Sequence, residues 1–161
     1  IINAISTTHN TPDFYLLKSQ IAQYEGNKSE EMHNKTAYLS MLNQSNYGAM
    51  YNKYNVLLFA DDKQTAQKAL EIAKLEVDHR PTPDSYDLLA WSYLNVGQNK
   101  KALEIAQNHV VGKTSEPKVL YHLAMIYKSN NFVEKVVPIK EELLASGFEL
   151  GPNLEKKVNQ L

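Results

Sequence analysis

The sequence predicts an all-α protein built from helix–turn–helix units set side by side, and three observations carry that prediction. The hexapeptide Lys68–Ala73, KALEIA, is spelled again at Lys101–Ala106. With average usage a random position matches about 6% of the time, so such a match arises by accident on the order of once per thousand chains of this length. Tyr86, Leu89, Ala90 and Tyr93 fall at i, i+3, i+4 and i+7, one stripe of a helix, and Leu120, Leu123, Ala124 and Tyr127 spell the stripe a second time. Pro83 and Pro117 are separated by the same interval as the two stripes, each just inside a helix start, where a missing N–H costs nothing. A helical unit that returns at a fixed interval of about 34 residues is the mark of a solenoid.

Each element has its own signals. Thr11-Pro12-Asp13 opens a first helix, Gly26-Asn27 stops it, and Ser29–Leu42 forms its partner. Tyr47–Ala60 reads as the first helix of the next unit, Asp61-Asp62-Lys63 as its turn and Lys63–His79 as its second helix. Thr82 is an N-cap for the helix that Pro83 begins, and Gly97 ends that helix in a left-handed conformation. Ala102, Leu103 and Ala106 then mark the inner face of the following helix. Pro117 starts the next unit and Asn131 closes its first helix, while Pro138 predicts a kink or a late start in the second. Gly151-Pro152 opens a last helix with Leu154, Val158 and Leu161 on one side and Glu155, Lys156 and Lys157 on the other, the pattern of a terminal cap over an apolar face.

The unit resembles the tetratricopeptide repeat, whose signature reads W-x2-L-G-x2-Y, then A-x3-F, then P. Here Tyr86-x2-Leu89-Ala90-x2-Tyr93 is followed by Ala102-x3-Ala106; Leu120-x2-Leu123-Ala124-x2-Tyr127 gives a second copy, and Ala69-x3-Ala73 with Pro81 an earlier one. Tyr86 and Leu120 replace the signature Trp, Ala90, Ala124 and Leu57 its Gly, and Ala73 and Ala106 its second aromatic. In the first unit Lys18 and Ser19 stand where Leu and Gly belong. The resemblance spans residues 12–161 and is closest over 47–128. It implies a right-handed α–α superhelix of stacked repeats: a tail at 1–11, a degenerate repeat at 12–46, repeats at 47–82, 83–116 and 117–151, and a capping helix at 152–161. The order of the units looks like that of exported bacterial tetratricopeptide proteins of unassigned role. That likeness implies a periplasmic or cell-envelope setting, and Ile1 in place of Met leads us to expect a longer chain upstream.

Composition narrows the function classes. The net charge is −1, so no basic field draws the chain to nucleic acid or anionic lipid. No cysteine is present, which removes disulfides, thiolate metal sites and a Cys nucleophile together. No apolar run approaches the ~20 residues of a membrane span, so no membrane insertion by this segment is expected. Among His9, His33, His79, His109 and His122 no two stand at the i, i+4 spacing of a helical zinc pair. Asp61-Asp62 and Glu141-Glu142 are adjacent in sequence and cannot flank a bond from opposite sides. There is no glycine-rich phosphate loop and no G-x-S-x-G elbow, and the N-x-S/T matches at Asn27, Asn34 and Asn43 read as coincidence in an Asn-rich chain. No cofactor and no catalytic residue is predicted.

A surface remains. In a stacked array the first helices of successive units line a concave side, where outward residues can hold a peptide. With the stripes above as core, that side carries Tyr51, Tyr54, Asn55 and Leu58 from the second unit. The third unit adds Asp84, Asp87, Leu88, Trp91 and Asn95, and the fourth adds Lys118, Tyr121, His122, Met125 and Lys128. Trp91, the sole tryptophan, falls about 100° off the packed stripe and is the expected anchor. Asp84 and Asp87 with Lys118 and Lys128 suit a ligand of mixed charge, its basic part nearer the middle unit. Some tetratricopeptide domains clamp a peptide C-terminus with Lys, Asn and Arg. By that resemblance Asn55 fits one clamp position, but Leu16, Gln20, Asp84 and Leu88 occupy the others and cannot serve as its cations. The predicted function is a non-catalytic module that binds a protein or peptide in a groove. The alternatives are a regulatory or dimerising appendage of a larger enzyme or sensor, and a metal- or small-molecule-binding enzyme using His122, Tyr121 and Asp87.

Overall fold

The computed structural model describes residues 11–44 and 47–161, and among these every regular element is an α-helix. Of the expected tail, residues 1–10 lie outside the described residues, as do 45–46 at the junction of the first two expected repeats. The chain divides into two units, one ending at Gly48 and one running from Ala49 to Leu161.

The first unit is a helix pair, α1 (Pro12–Glu25) and α2 (Lys28–Gln44). Pro12 occupies the first turn, and Gly26 takes φ 75 so that its N–H can close on the last carbonyls. Ser19 and Ala22 on α1 and Tyr38 on α2 form its core, at 0–2% exposure. Asn34, one of the N-x-S/T matches, is buried and donates from Nδ2 to the Glu30 carbonyl at 2.8 Å, which removes it as a modification site.

The second unit runs α3 (Asn52–Ala60), α4 (Ala66–His79), α5 (Pro83–Asn95), α6 (Asn99–His109), α7 (Pro117–Ser129), α8 (Val133–Ala145) and α9 (Gly147–Val158). Each helix packs on the next. In addition α3 touches α5, α5 touches α7 and α7 touches α9, whereas α4, α6 and α8 do not touch one another. The first helices therefore form one row and the second helices lie apart behind it. Alanines make the close approaches: Ala69, Ala73, Ala90, Ala102, Ala106 and Ala124 are all 0–1% exposed. Side chains also tie the start of one helix to the end of its neighbour. Asn52 Nδ2 donates to Glu76 Oε1 at 2.7 Å, and Thr65 Oγ1 donates to the Phe59 carbonyl at 2.8 Å.

The duplicated hexapeptide has a physical job. Lys68 lies over the Phe59 ring at 4.4 Å, Lys101 over Tyr93 at 4.6 Å, and Lys135 over Tyr127 at 5.1 Å. Phe59, Tyr93 and Tyr127 are evenly spaced along the chain at the interval of the repeat, and the three lysines follow them to within one residue. One cation–π contact thus recurs in every unit from α3 to α8, each joining the end of a first helix to the start of its partner.

Several boundaries differ from the sequence reading. α3 begins at Asn52, not at Tyr47, because Gly48–Tyr51 form turns. α4 begins at Ala66, not at Lys63: Asp62 Oδ1 accepts from Gln64 N at 2.9 Å, holding a turn where helix was expected. α8 starts directly at Val133 and carries Pro138 inside it, so no late start occurs. The cap is longer than expected. A helical turn from Gly147 precedes Gly151, whose φ of 67 breaks the helix before Pro152 resumes it. Leu150 and Val158 on the two sides of that break pack with Leu143, and Leu120, Tyr121 and Leu154 lean on the cluster.

Thr82 caps α5 as predicted, its Oγ1 accepting from Ser85 N at 3.2 Å. Thr82→Ala is expected to cost about 1 kcal/mol of stability, read as a lower urea midpoint at unchanged slope.

Candidate functional site

The site begins with two prolines. Pro83 and Pro117 set the first turns of α5 and α7. Counting from these starts, Asp84 and Asp87 stand one turn apart on α5, and Lys118, Val119 and His122 follow on α7. Where these turns meet α3, a cleft of about 200 Å³ opens. Leu57, Leu88 and Val119 give it apolar walls. Lys53, Asp84, Glu116 and Lys118 supply charge, Tyr54 an aromatic edge, and Asp87 with His122 a buried floor.

The floor is the unusual part. His122 Nδ1 and Asp87 Oδ2 are 2.8 Å apart, and both side chains are about 5% exposed or less. Asp87 Oδ1 is buried with no hydrogen-bond partner. An unpaired buried acceptor costs roughly 1–3 kcal/mol, more when charged, and a bound donor would remove that cost. Burial pushes the Asp87 carboxyl above its ordinary range, and the nearby Asp84 adds to that; His122 and Lys53 pull it back. His122 is held from behind by Trp91, the two rings stacked at 4.1 Å and 13°, with the Tyr121 ring 6.2 Å from each. Indole fixes imidazole, and imidazole fixes carboxylate.

At the rim, Lys53 Nζ and Asp84 Oδ2 form an ion pair at 3.3 Å in which both side chains are about half exposed. Such a pair is worth little and is easily exchanged. Lys118 has its ammonium pushed below the usual lysine range, first by burial and then by Lys53. A second exposed pair, Lys157 with Asp61 at 3.3 Å, joins α9 to the turn after α3.

The sequence-derived groove residues divide. Tyr54, Asp84, Asp87, Leu88, Lys118 and His122 line the cleft. Trp91, the expected anchor, is 6% exposed and outside the lining; with Tyr121 it backs the floor. Tyr51 is buried beside Tyr54, ring centroids 6.1 Å apart, and Asn55 and Leu58 lie half-buried on α3 outside the lining. Asn95, Met125 and Lys128 stand toward the far ends of α5 and α7, away from the cleft. Asn95 Nδ2 donates to the Trp91 carbonyl at 2.9 Å, and Lys128 Nζ to the Leu161 carbonyl at 3.2 Å.

Lys53, Leu57, Glu116 and Val119 also line the cleft and were not singled out as groove residues by the sequence. A signal existed for Lys53: it precedes Asp87 by the same interval that separates Pro83 from Pro117, so the two share a column of the repeat. Among the described residues no three His, Asp or Glu side chains come together as a metal-ligand set. No described helix is long and apolar enough to cross a membrane. Comparison of the chain with family models, with curated proteins and with solved structures finds no match in any of the three.

Proposed function

We propose that this protein is a non-catalytic interaction module that holds an extended peptide segment of a partner protein in the cleft of α3, α5 and α7. In this reading the hairpins stack as a right-handed, tetratricopeptide-like superhelix whose first helices face the partner. The observation that carries it is the make-up of the cleft: apolar walls, a charged rim of both signs, and an unpaired carboxylate oxygen in the floor. Apolar walls supply affinity, and buried polar groups that need a partner supply discrimination. A His–Asp pair can also orient a general base. The cleft lining, however, brings no serine, threonine or cysteine to His122, which favours binding over hydrolysis by a hydroxyl or thiol nucleophile.

Selection of a random dodecapeptide phage library on the immobilised chain tests the reading. Enriched peptides are expected, and Tyr54→Ala combined with Lys118→Ala, both in the cleft lining, should weaken them about tenfold, on the order of 1.4 kcal/mol. No enrichment over bare support, or equal affinity for the double variant, overturns it.

A further inference from the structure

The lining of the cleft carries three carboxylates, Asp84, Asp87 and Glu116, against two ammonium groups, Lys53 and Lys118. Two of the carboxylates stand one turn apart on α5, and they are differently placed. Asp84 is exposed and already holds Lys53. Asp87 is 3% exposed, spends Oδ2 on His122 and leaves Oδ1 without a donor. A buried acceptor left unpaired is a standing demand for a donor, and a cationic donor meets it best because a charge-assisted bond to a carboxylate is stronger than a neutral one. The neighbouring Lys53 ammonium makes no bond to that oxygen and pairs with Asp84 at the rim.

We infer that the floor of the cleft is a subsite for one cationic side chain, arginine or lysine, of the bound segment. The incoming cation donates to Asp87 Oδ1, takes Asp84 as its second carboxylate, and displaces Lys53 into solvent. The inference rests on the peptide-binding reading above and adds the residue class at one position of the peptide. The Trp91–His122 stack has a defined part: it keeps Oδ2 engaged and so leaves Oδ1 as the free acceptor. Trp91 and His122 are positioning residues here, and Asp87 and Asp84 are the contacts.

The probes are single residues, Nα-acetyl-arginine methylamide and Nα-acetyl-lysine methylamide, with the citrulline and norleucine analogues as neutral counterparts of matching shape. Binding is read by NMR on the one indole N–H of the chain, that of Trp91, and on the His122 ring. The arginine and lysine probes should give saturable shifts, and their two affinities distinguish guanidinium from ammonium; the neutral probes should give none. Asp87→Asn keeps the shape and an acceptor for His122 but turns the free oxygen into an N–H donor, and should weaken the cations at least tenfold. Lys53→Met should strengthen them several-fold by removing the resident competitor. Glu104→Gln, exposed on α6 and outside the cleft lining, makes the same change in net charge as Asp84→Asn and should alter affinity less than twofold, against several-fold for Asp84→Asn.

Equal shifts from cationic and neutral probes overturn the inference, as does unchanged affinity in Asp87→Asn. If that variant does not fold, the opposite responses expected of Lys53→Met and Asp84→Asn decide. Library peptides that bind the cleft with no basic residue in common sink the subsite and leave the peptide-binding reading standing; an empty selection sinks that reading instead.

Discussion

Replacing His122 by leucine is expected to cost the second unit about 3–5 kcal/mol, because it leaves Asp87 buried with neither oxygen paired. The size follows from burial. An exposed pair such as Lys53–Asp84 loses almost nothing when cut, but the Asp87–His122 pair is at most 5% exposed and poorly screened. Asp87→Leu made together with His122→Leu should recover most of the loss or exceed the parent, since apolar residues of similar volume need no partners. Chemical unfolding of the parent, both single variants and the double variant measures the coupling directly. A loss in His122→Leu below about 1 kcal/mol would mean that the pair is solvated.

The pH dependence has a definite sign. The Asp87 carboxyl is pushed upward in the folded state by burial, so its contribution to stability is full below the ordinary carboxylate range and is lost as pH rises through the folded value. His122 is the first of the groups opposing that shift, with Lys53 behind it, while Asp84 reinforces it. Without His122 the carboxyl moves further up. The penalty of His122→Leu should therefore be smaller near pH 4 than at pH 7.

Trp91→Ala should cost about 3–5 kcal/mol as well, for a different reason: it opens a cavity behind the His122 ring and lets the imidazole tilt. Trp91→Phe keeps a flat ring in contact and should cost less than about 2 kcal/mol. The comparison matters for any binding experiment. Loss of partner binding in the alanine variant reports a collapsed floor, whereas the same loss in the phenylalanine variant, with unfolding unchanged, reports direct contact with the indole. Circular dichroism with urea titration of both variants separates the two.

Trp91 also shows where a sequence reading reaches its limit. Its position, off the packed stripe of α5, is legible from helix periodicity, and that stripe holds for three of its four members: Leu89, Ala90 and Tyr93 are buried, and Tyr86 is half-buried. Periodicity describes one helix against its own core, however. It does not see that the next first helix, α7, brings Tyr121 and His122 against the outward face and covers it. Asp87, read from the sequence as groove-facing, does line the cleft, but α7 brings His122 against it and buries it there. The helix order, the alanine contacts, the Thr82 cap and the left-handed Gly97 and Asn131 are local or periodic properties, and the sequence carries them. Where a turn competes with a helix start, as at Gly48–Tyr51 and Asp62–Thr65, helix-forming composition alone puts the boundary too early. Two of the three lysines in the recurring lysine–aromatic contact open the repeated hexapeptide, but a lysine on an exposed face reads as a solvated charge until the ring beneath it is seen.

Those lysine–ring clasps join residues close together along the chain: Phe59 with Lys68, Tyr93 with Lys101 and Tyr127 with Lys135. Each can close before any neighbouring hairpin exists, so the entropic toll of forming it is that of a very short loop. Refolding should then be fast and begin at several points along the chain, and under tension the hairpins should give way one after another rather than all at once.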